Sequence, residues 1–303
     1  MHRRGFLKSS GALAGAGLLG SSGAARGEEE RKMKLSSLPF GFVSFEKEES
    51  FSAWFDYAEQ IGLDGVELMY PWPVSWHVIH RTQKRLSAHK LEVSMITTHC
   101  DPSQFSEDLR RAEAQKLVGY VDLATEFHSR FVRVIAGSFN PTSREISLAK
   151  AINAVVGTFQ LVLPYAEKAG VVLALENHPG FGASREVIAA ILERIPSASL
   201  GWNFDMENAY RIPGQTAFDF LNDQRILRRL VHLHAKNYAE SPEGWVSDVA
   251  LDEGVNDVRA MLAKVKASGY RDWISIEFGG TTREKLRRSA KFLRATWESL
   301  PKP

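Results

Sequence analysis

Four ionisable residues in the C-terminal half of the chain each lie at the end of an apolar run: Glu176 in "VVLALE", Asp205 in "SLGWNFD", His234 in "LVHLHAK" and Glu277 in "WISIE". Taken singly, an acidic residue closing a strand is as a rule a cap or a loop contact. Four in succession, at matching depth, call for a common cause. Side chains alternate along a strand, so Glu176 shares a face with Val172 and Ala174, Asp205 with Gly201 and Asn203, His234 with His232, and Glu277 with Trp273 and Ser275. With those faces turned the same way, three carboxylates and one imidazole converge. Such a group repels itself unless a cation or protons neutralise it. A donor set rich in oxygen and free of thiolate suits Mn²⁺, Mg²⁺ or Co²⁺ and permits Zn²⁺.

The elements that must position these residues are legible as an alternation. Strand-length apolar runs occur as "LPFGFVSF" at 38, "DGVELM" at 64, "LEVSMIT" at 91, "RFVRVIA" at 130, "VVLALEN" at 171, "SLGWNFD" at 199, "LVHLHA" at 230 and "WISIEF" at 273. Segments of helical period separate them, among them Glu107 to Phe127 and Ser147 to Lys168, with Gly170 and Gly269 placed where a helix stops before the next strand. Eight such rounds predict a parallel sheet covered by helices, of the size of a single (β/α)8 TIM barrel. An open doubly wound sheet would carry a Gly-rich phosphate loop after its first strand, and "FVSFEKEES" has none. In a barrel the site lies at the carboxyl ends of the strands, where the four candidates fall.

The chain begins "MHRRGFLKSSGALAGAGLLGSSGAARGEEE", in which Arg3 and Arg4 precede a mildly apolar Ala/Gly/Leu stretch. This resembles a twin-arginine export signal. Broken by Gly and Ser, its apolar part is shorter than the ~20 residues a membrane span requires, so no stable span is expected. The organisation expected is a signal over 1–27, a charged spacer over 28–34 and the barrel over 35–303, in a protein exported folded to the periplasm or another extracytoplasmic space. Removing residues 1–27 takes away four of the 38 Lys/Arg and none of the 36 Asp/Glu, moving the formal charge from +2 to −2. That balance offers no footprint for nucleic acid. Cys100 is the only cysteine, which excludes an internal disulfide and a thiolate metal cluster.

The segments "LALENHPG", "LGWNFDMENAY", "VHLHAKNY" and "LDEGVNDVRAMLAKVKASGYRDWISIEFGG" resemble the sugar phosphate isomerase/epimerase superfamily, whose members have a xylose isomerase-like TIM barrel. The resemblance spans essentially the whole chain after the signal. It implies that a divalent metal is held by Glu176, Asp205, His234 and Glu277, the second histidine of "HLHAK" being the ligand. It also implies that Glu176 and Glu277 double as acid and base while Asp205 and His234 chiefly fix the ion. A metal in such a site acts as a Lewis acid toward a carbonyl oxygen and the neighbouring hydroxyl, stabilising an enediolate while carboxylates move a proton. The substrate implied is a small carbohydrate or polyol, and the protein is a candidate homo-oligomer.

Further residues are candidates for substrate contact. His178 and Lys236 follow Glu176 and His234 by two positions and share their faces. Arg133 places a charge inside an apolar strand, as a substrate contact or a buried ion pair, and Glu67 in "DGVELM" is comparable. His99 in "TTHCDPS" reads as a rim residue. His232 reads as filling the deeper barrel, and Phe45, Trp72 and Trp202 either stack on a sugar or belong to the core. Asn208 and Glu240 stand where many sugar epimerases carry His and Arg, which argues against a conventional ketohexose 3-epimerase. An isomerase or epimerase leads. A lyase or dehydratase on a keto-sugar or oxidised glycoside would use the same metal and glutamate base, and a non-catalytic carbohydrate-binding barrel is the remaining alternative. An endonuclease on this barrel would need more histidine ligands and a basic surface.

Overall fold

The computed structural model describes residues 33–38, 48–70, 73–138, 147–242, 244–246, 248–280 and 282–302. The signal over 1–27, most of the spacer, and Phe45 and Trp72 lie outside the described residues. Eight parallel strands form one sheet: β1 (Lys34–Leu38), β2 (Gly65–Met69), β3 (Glu92–Thr97), β4 (Phe131–Ile135), β5 (Val172–Glu176), β6 (Leu200–Asp205), β7 (Leu230–Ala235) and β10 (Trp273–Glu277). Hydrogen bonding runs in the order β1-β10-β7-β6-β5-β4-β3-β2. The two ends of that order meet through Asp64, whose backbone N–H donates to Leu35 O at 2.8 Å and whose Oδ2 accepts from Leu35 N at 2.7 Å. The result is a nearly closed (β/α)8 barrel.

Helices alternate with the strands as the sequence predicts: α1 (Glu48–Gln60), α2 (Trp76–Ala88), α3 (Glu107–Glu126), α4 (Leu148–Ala169), α5 (Arg185–Arg194), α6 (Ala217–Leu221), α7 (Gln224–Leu227), α8 (Val258–Ala267) and α9 (Arg283–Ser299). Their boundaries follow local chemistry. Ser147 caps α4 by accepting from Lys150 N, and Gly170 ends it at φ 69°, a left-handed conformation that glycine adopts without strain. By length and composition α4 could cross a membrane, yet Ala151, Val155, Phe159, Val162 and Ala166 are all buried in the helical layer of the barrel.

Two features depart from the sequence reading. The first strand is "KLSSL", Lys34–Leu38, and it begins ahead of the "LPFGFVSF" run and one residue inside the expected spacer. Its register against β10, from Lys34 opposite Trp273 to Leu38 opposite Glu277, brings buried Ser36 beside Ser275. The barrel interior there is polar, so apolarity was a misleading guide to the strand. The second departure is a hairpin, β8 (Ala239–Ser241) with β9 (Gly244–Val246), in the loop after the seventh barrel strand.

The apolar core lies mainly between sheet and helices, where Trp202, Phe204 and Phe220 pack together. Trp202 is thus a core residue. Among the described residues a small apolar floor lies inside the barrel, formed by Met95, Phe131, Ala174 and Trp273 with Val172 and Val231 against them. Val231 enters this floor at a register shift between β6 and β7, and it fills the place a Gly201 side chain would take. A Cβ on Gly201 would stand 2.4 Å from Val231 Cγ1 and 3.0 Å from Arg229 O. Gly201→Ala is therefore expected to destabilise the barrel by about 1–3 kcal/mol through overpacking. Urea denaturation measures this, and an unchanged midpoint would show that the floor accommodates the methyl.

Candidate metal centre

The register of the last barrel strands brings the four strand-end residues together. Asp205 sits opposite His234, Glu176 opposite Asn203, and His234 opposite Ser275, two residues before Glu277. One ligand atom from each of Glu176, Asp205, His234 and Glu277 lies within 4.8 Å of all the others, and all four residues are buried. The strand-six end is clamped by Asn177, whose Nδ2 donates to Asp205 O at 2.8 Å while its Oδ1 accepts from Asp205 N at 2.9 Å and Trp202 Nε1 at 3.2 Å. Asp205 has two roles. Its Oδ1 caps the following turn, accepting from Glu207 N at 2.8 Å and Asn208 N at 2.7 Å. Its Oδ2 is buried and makes no hydrogen bond. A buried carboxylate oxygen without a donor is costly, and an oxygen-rich set around it fits a hard divalent cation.

His234 is oriented from behind. Its Nε2 lies 3.0 Å from Glu67 Oε1, and Glu67 Oε2 accepts from Thr97 Oγ1 at 2.9 Å. This leaves Nδ1 facing the site, 3.2 Å from Glu176 Oε1 and 2.8 Å from Glu277 Oε2, the latter approach making no hydrogen bond. A histidine whose far nitrogen is fixed by a carboxylate is the arrangement that orients imidazole ligands toward a metal. Glu67 therefore faces a histidine at the floor of the site. His232 is fully buried one layer deeper, its ring edge-on to Phe131 and to His234 and its Nδ1 3.1 Å from Asn203 Oδ1. Burial pushes its pKa down to about 3, so it is neutral at physiological pH.

Electrostatics divides the four into two kinds. Burial pushes every carboxyl here upward, but Arg133 and His234 outweigh it at Glu176, whose Oε2 is ion-paired to Arg133 Nε. Lys236, 2.8 Å from Glu277 Oε1, and then His234 do the same for Glu277. Asp205 goes the other way: burial, with repulsion from Glu277 and Glu176, raises its pKa well above the usual carboxylate range despite Lys236. His234 is raised well above the ordinary imidazole value, since Glu67, Glu176 and Glu277 overcome its burial. Both shifts favour the protonated forms, a proton on Asp205 removing its charge and one on His234 offsetting the carboxylates around it. A divalent ion would displace these protons, which makes its binding pH-linked.

The remaining sequence candidates surround this centre. Arg133 is buried, forming the ion pair with Glu176 and donating from Nη1 to Thr98 O at 3.0 Å. Asn208 is buried with Nδ2 3.4 Å from Glu176 Oε1. His178 is half-buried, and His99 exposes its ring with Nε2 3.1 Å from Met69 Sδ. Burial first, then Arg133, lowers the pKa of His99; burial and Arg133 likewise lower that of His178, against an upward pull from Glu176. Sequence reasoning passed over Glu207. It is fully buried, with Oε1 paired to Arg211 and Oε2 4.0 Å from Lys236 Nζ. Its place two residues past Asp205 was the available signal.

A family model described as xylose isomerase-like TIM barrel matches residues 55–296. No curated protein sequence matches the chain. Solved structures do. An L-ribulose 3-epimerase superposes with a TM-score of 0.71 at 18% identity, covering 88% of this chain and 95% of the other. The probable 3-DHS dehydratase AsbF of Bacillus anthracis gives 0.69 at 20% identity, covering 86% and 99%. A xylose isomerase-like TIM barrel protein from Mycobacterium smegmatis, in complex with magnesium, gives 0.70 at 15% identity, covering 89% and 98%. At these identities the likeness is one of fold. The geometry around His234 yields its own test: Glu67→Gln is expected to weaken Mn²⁺ binding about 10- to 100-fold, as loss of a carboxylate behind a ligating histidine does. Calorimetric titration with Mn²⁺ checks it, and unchanged affinity would mean that Glu67 does not serve the ion.

Proposed function

This chain belongs to the xylose isomerase-like TIM barrel family, and from that premise we propose that it is a divalent-metal-dependent isomerase or epimerase of a small carbohydrate or polyol, working by proton abstraction next to a carbonyl. The observation that carries the reading is the convergence of Glu176, Asp205, His234 and Glu277 within 4.8 Å, with Asp205 Oδ2 buried and lacking a donor. These four residues would hold Mn²⁺, Mg²⁺ or Co²⁺, with Zn²⁺ permitted by the donor set. When bound, such an ion supplies Lewis acidity to a carbonyl and its neighbouring hydroxyl, stabilising charge that develops on their oxygens.

The chain's own residues supply the rest. Glu176 and Glu277 come from different strands, and each has one oxygen tied to a cation, Arg133 for Glu176 and Lys236 for Glu277. Each carboxylate is held ionised and fixed in direction, as a group that accepts a proton from carbon must be. Asp205 and His234 are anchored on one side and turn the other to the site: Asp205 caps its turn through Oδ1, leaving Oδ2, and His234 is clamped by Glu67 through Nε2, leaving Nδ1. We assign them to fixing the ion. His178, His99 and Asn208 we assign to substrate oxygens, with Asn208 beside Glu176 and Lys236 beside Glu277. The paired arginines at Arg3 and Arg4 support an assignment to an extracytoplasmic space by the twin-arginine route.

Protein purified without chelator is expected to carry a divalent metal, and with the ion bound to exchange deuterium from D₂O into a ketose at the carbon beside the carbonyl. Glu277→Gln should cut this exchange by about 100-fold or more, the scale of a lost general base, while much of the metal stays bound. Metal analysis and NMR of the recovered sugar measure both. Wild-type exchange in the variant would reject the role of Glu277, and exchange followed by loss of water or an aglycone would select a lyase.

A further inference from the structure

Glu207 sits between the proposed centre and the hairpin, and no step of the proton transfer uses it. It is fully buried, and its two oxygens differ. Oε1 is taken by Arg211, whose guanidinium also lies 4.1 Å from the Trp245 ring centroid. Trp245 in turn stacks on Tyr238, with centroids 3.7 Å apart and planes 3° from parallel. The hairpin strand β9 thus packs Trp245 between Tyr238 and Arg211, fixing the arginine and through it Glu207. Oε2 makes no hydrogen bond and is buried. Lys236 Nζ lies 4.0 Å from it, too far for a direct hydrogen bond.

Lys236 has donors to spare, since an ammonium carries three and its side-chain bond among the described residues is the one to Glu277 Oε1 at 2.8 Å. A carboxylate oxygen that only accepts and an ammonium that only donates therefore face each other across 4.0 Å. One oxygen at about 2.8 Å from each would close the gap, provided that it both donates and accepts. A hydroxyl does this. A phosphate or carboxylate oxygen has no proton for Glu207 and would meet its charge.

We propose that Glu207 Oε2 and Lys236 Nζ form a subsite for one hydroxyl of an unphosphorylated sugar or polyol, and that Glu207 selects against an anionic group at that position. The subsite rests on the isomerase or epimerase reading for its neighbour Glu277, to which Lys236 is bonded, and it deepens that reading by naming the substrate class. The hairpin serves it too, because Trp245 packs on Arg211 and Arg211 holds Oε1, leaving Oε2 as the carboxylate oxygen without a donor.

The test is calorimetric binding to the Mn²⁺-loaded full chain of a panel of ketopentoses and ketohexoses, their single-deoxy analogues and their phosphate esters. In wild type, removal of one particular hydroxyl is expected to weaken binding about 10- to 100-fold, the range for a hydrogen bond to a charged group. Glu207→Gln should weaken the parent sugar to a similar degree while leaving the matching deoxy analogue unaffected. A merely structural role would weaken both alike, and that result overturns the subsite. So does a wild-type protein that binds none of the sugars, that discriminates against no deoxy analogue, or that prefers the phosphate ester at the same position. The wild-type comparisons stand even where Glu207→Gln does not fold. Sugar bound with full discrimination but without deuterium exchange would unseat the reaction and leave the subsite intact.

Discussion

The mutual repulsion of three carboxylates closed into one buried space is the constraint on which the rest of this structure depends. Glu176, Asp205 and Glu277 are within reach of one another, the first two fully buried and Glu277 nearly so. Charges so placed are tolerated only when paired, hydrogen-bonded or neutralised. The surroundings supply each remedy. Arg133 pairs with Glu176, Lys236 pairs with Glu277, and the turn after β6 hydrogen-bonds one oxygen of Asp205. Asp205 Oδ2 and Glu277 Oε2 are left without a hydrogen-bond donor, at the point where a cation would complete the set.

The same demand shapes the barrel itself. Among the described residues its interior has an apolar floor, around Met95, Phe131, Ala174 and Trp273. Above that, Ser36, Glu67, Arg133, Asn203, His232 and Ser275 are all buried on strands, a polar layer that orients the site and contributes little hydrophobic stabilisation. Cohesion is supplied outside the barrel, where the sheet packs against its helices. The division lets the inside be chosen for chemistry and the outside for stability.

This division also explains what could be read from sequence. Strands five to eight are apolar on the helix-facing side and end in ionisable residues, so both their existence and the four-residue constellation were visible in "LALE", "GWNFD", "HLHA" and "WISIE". The first strand, "KLSSL", carries serines on a polar interior and lacks an apolar run, while the neighbouring "LPFGFVSF" has one. Arg133 was legible as a charge in a strand, but its partner Glu176 is 43 residues distant in the chain and required the fold. Glu67 read as a substrate contact or a buried pair, and the sequence does not show that His234 Nε2 is its partner. Glu207 was missed because a glutamate just past a strand is ordinary, and only the burial of its unpaired oxygen sets it apart. The hairpin in "YAESPEGWVSD" depends on Trp245 finding Tyr238 and Arg211, contacts that have no local signature.

The central claim is that one divalent ion sits among Glu176, Asp205, His234 and Glu277, and anomalous diffraction from crystals grown with MnCl₂ tests it most directly. The account predicts a single strong peak at the carboxyl end of the barrel, within about 2.0–2.3 Å of carboxylate oxygens from all three acidic residues and of His234 Nδ1, distances typical of such ligands. A peak elsewhere, one approached by His234 through Nε2, or none at saturating manganese would contradict it.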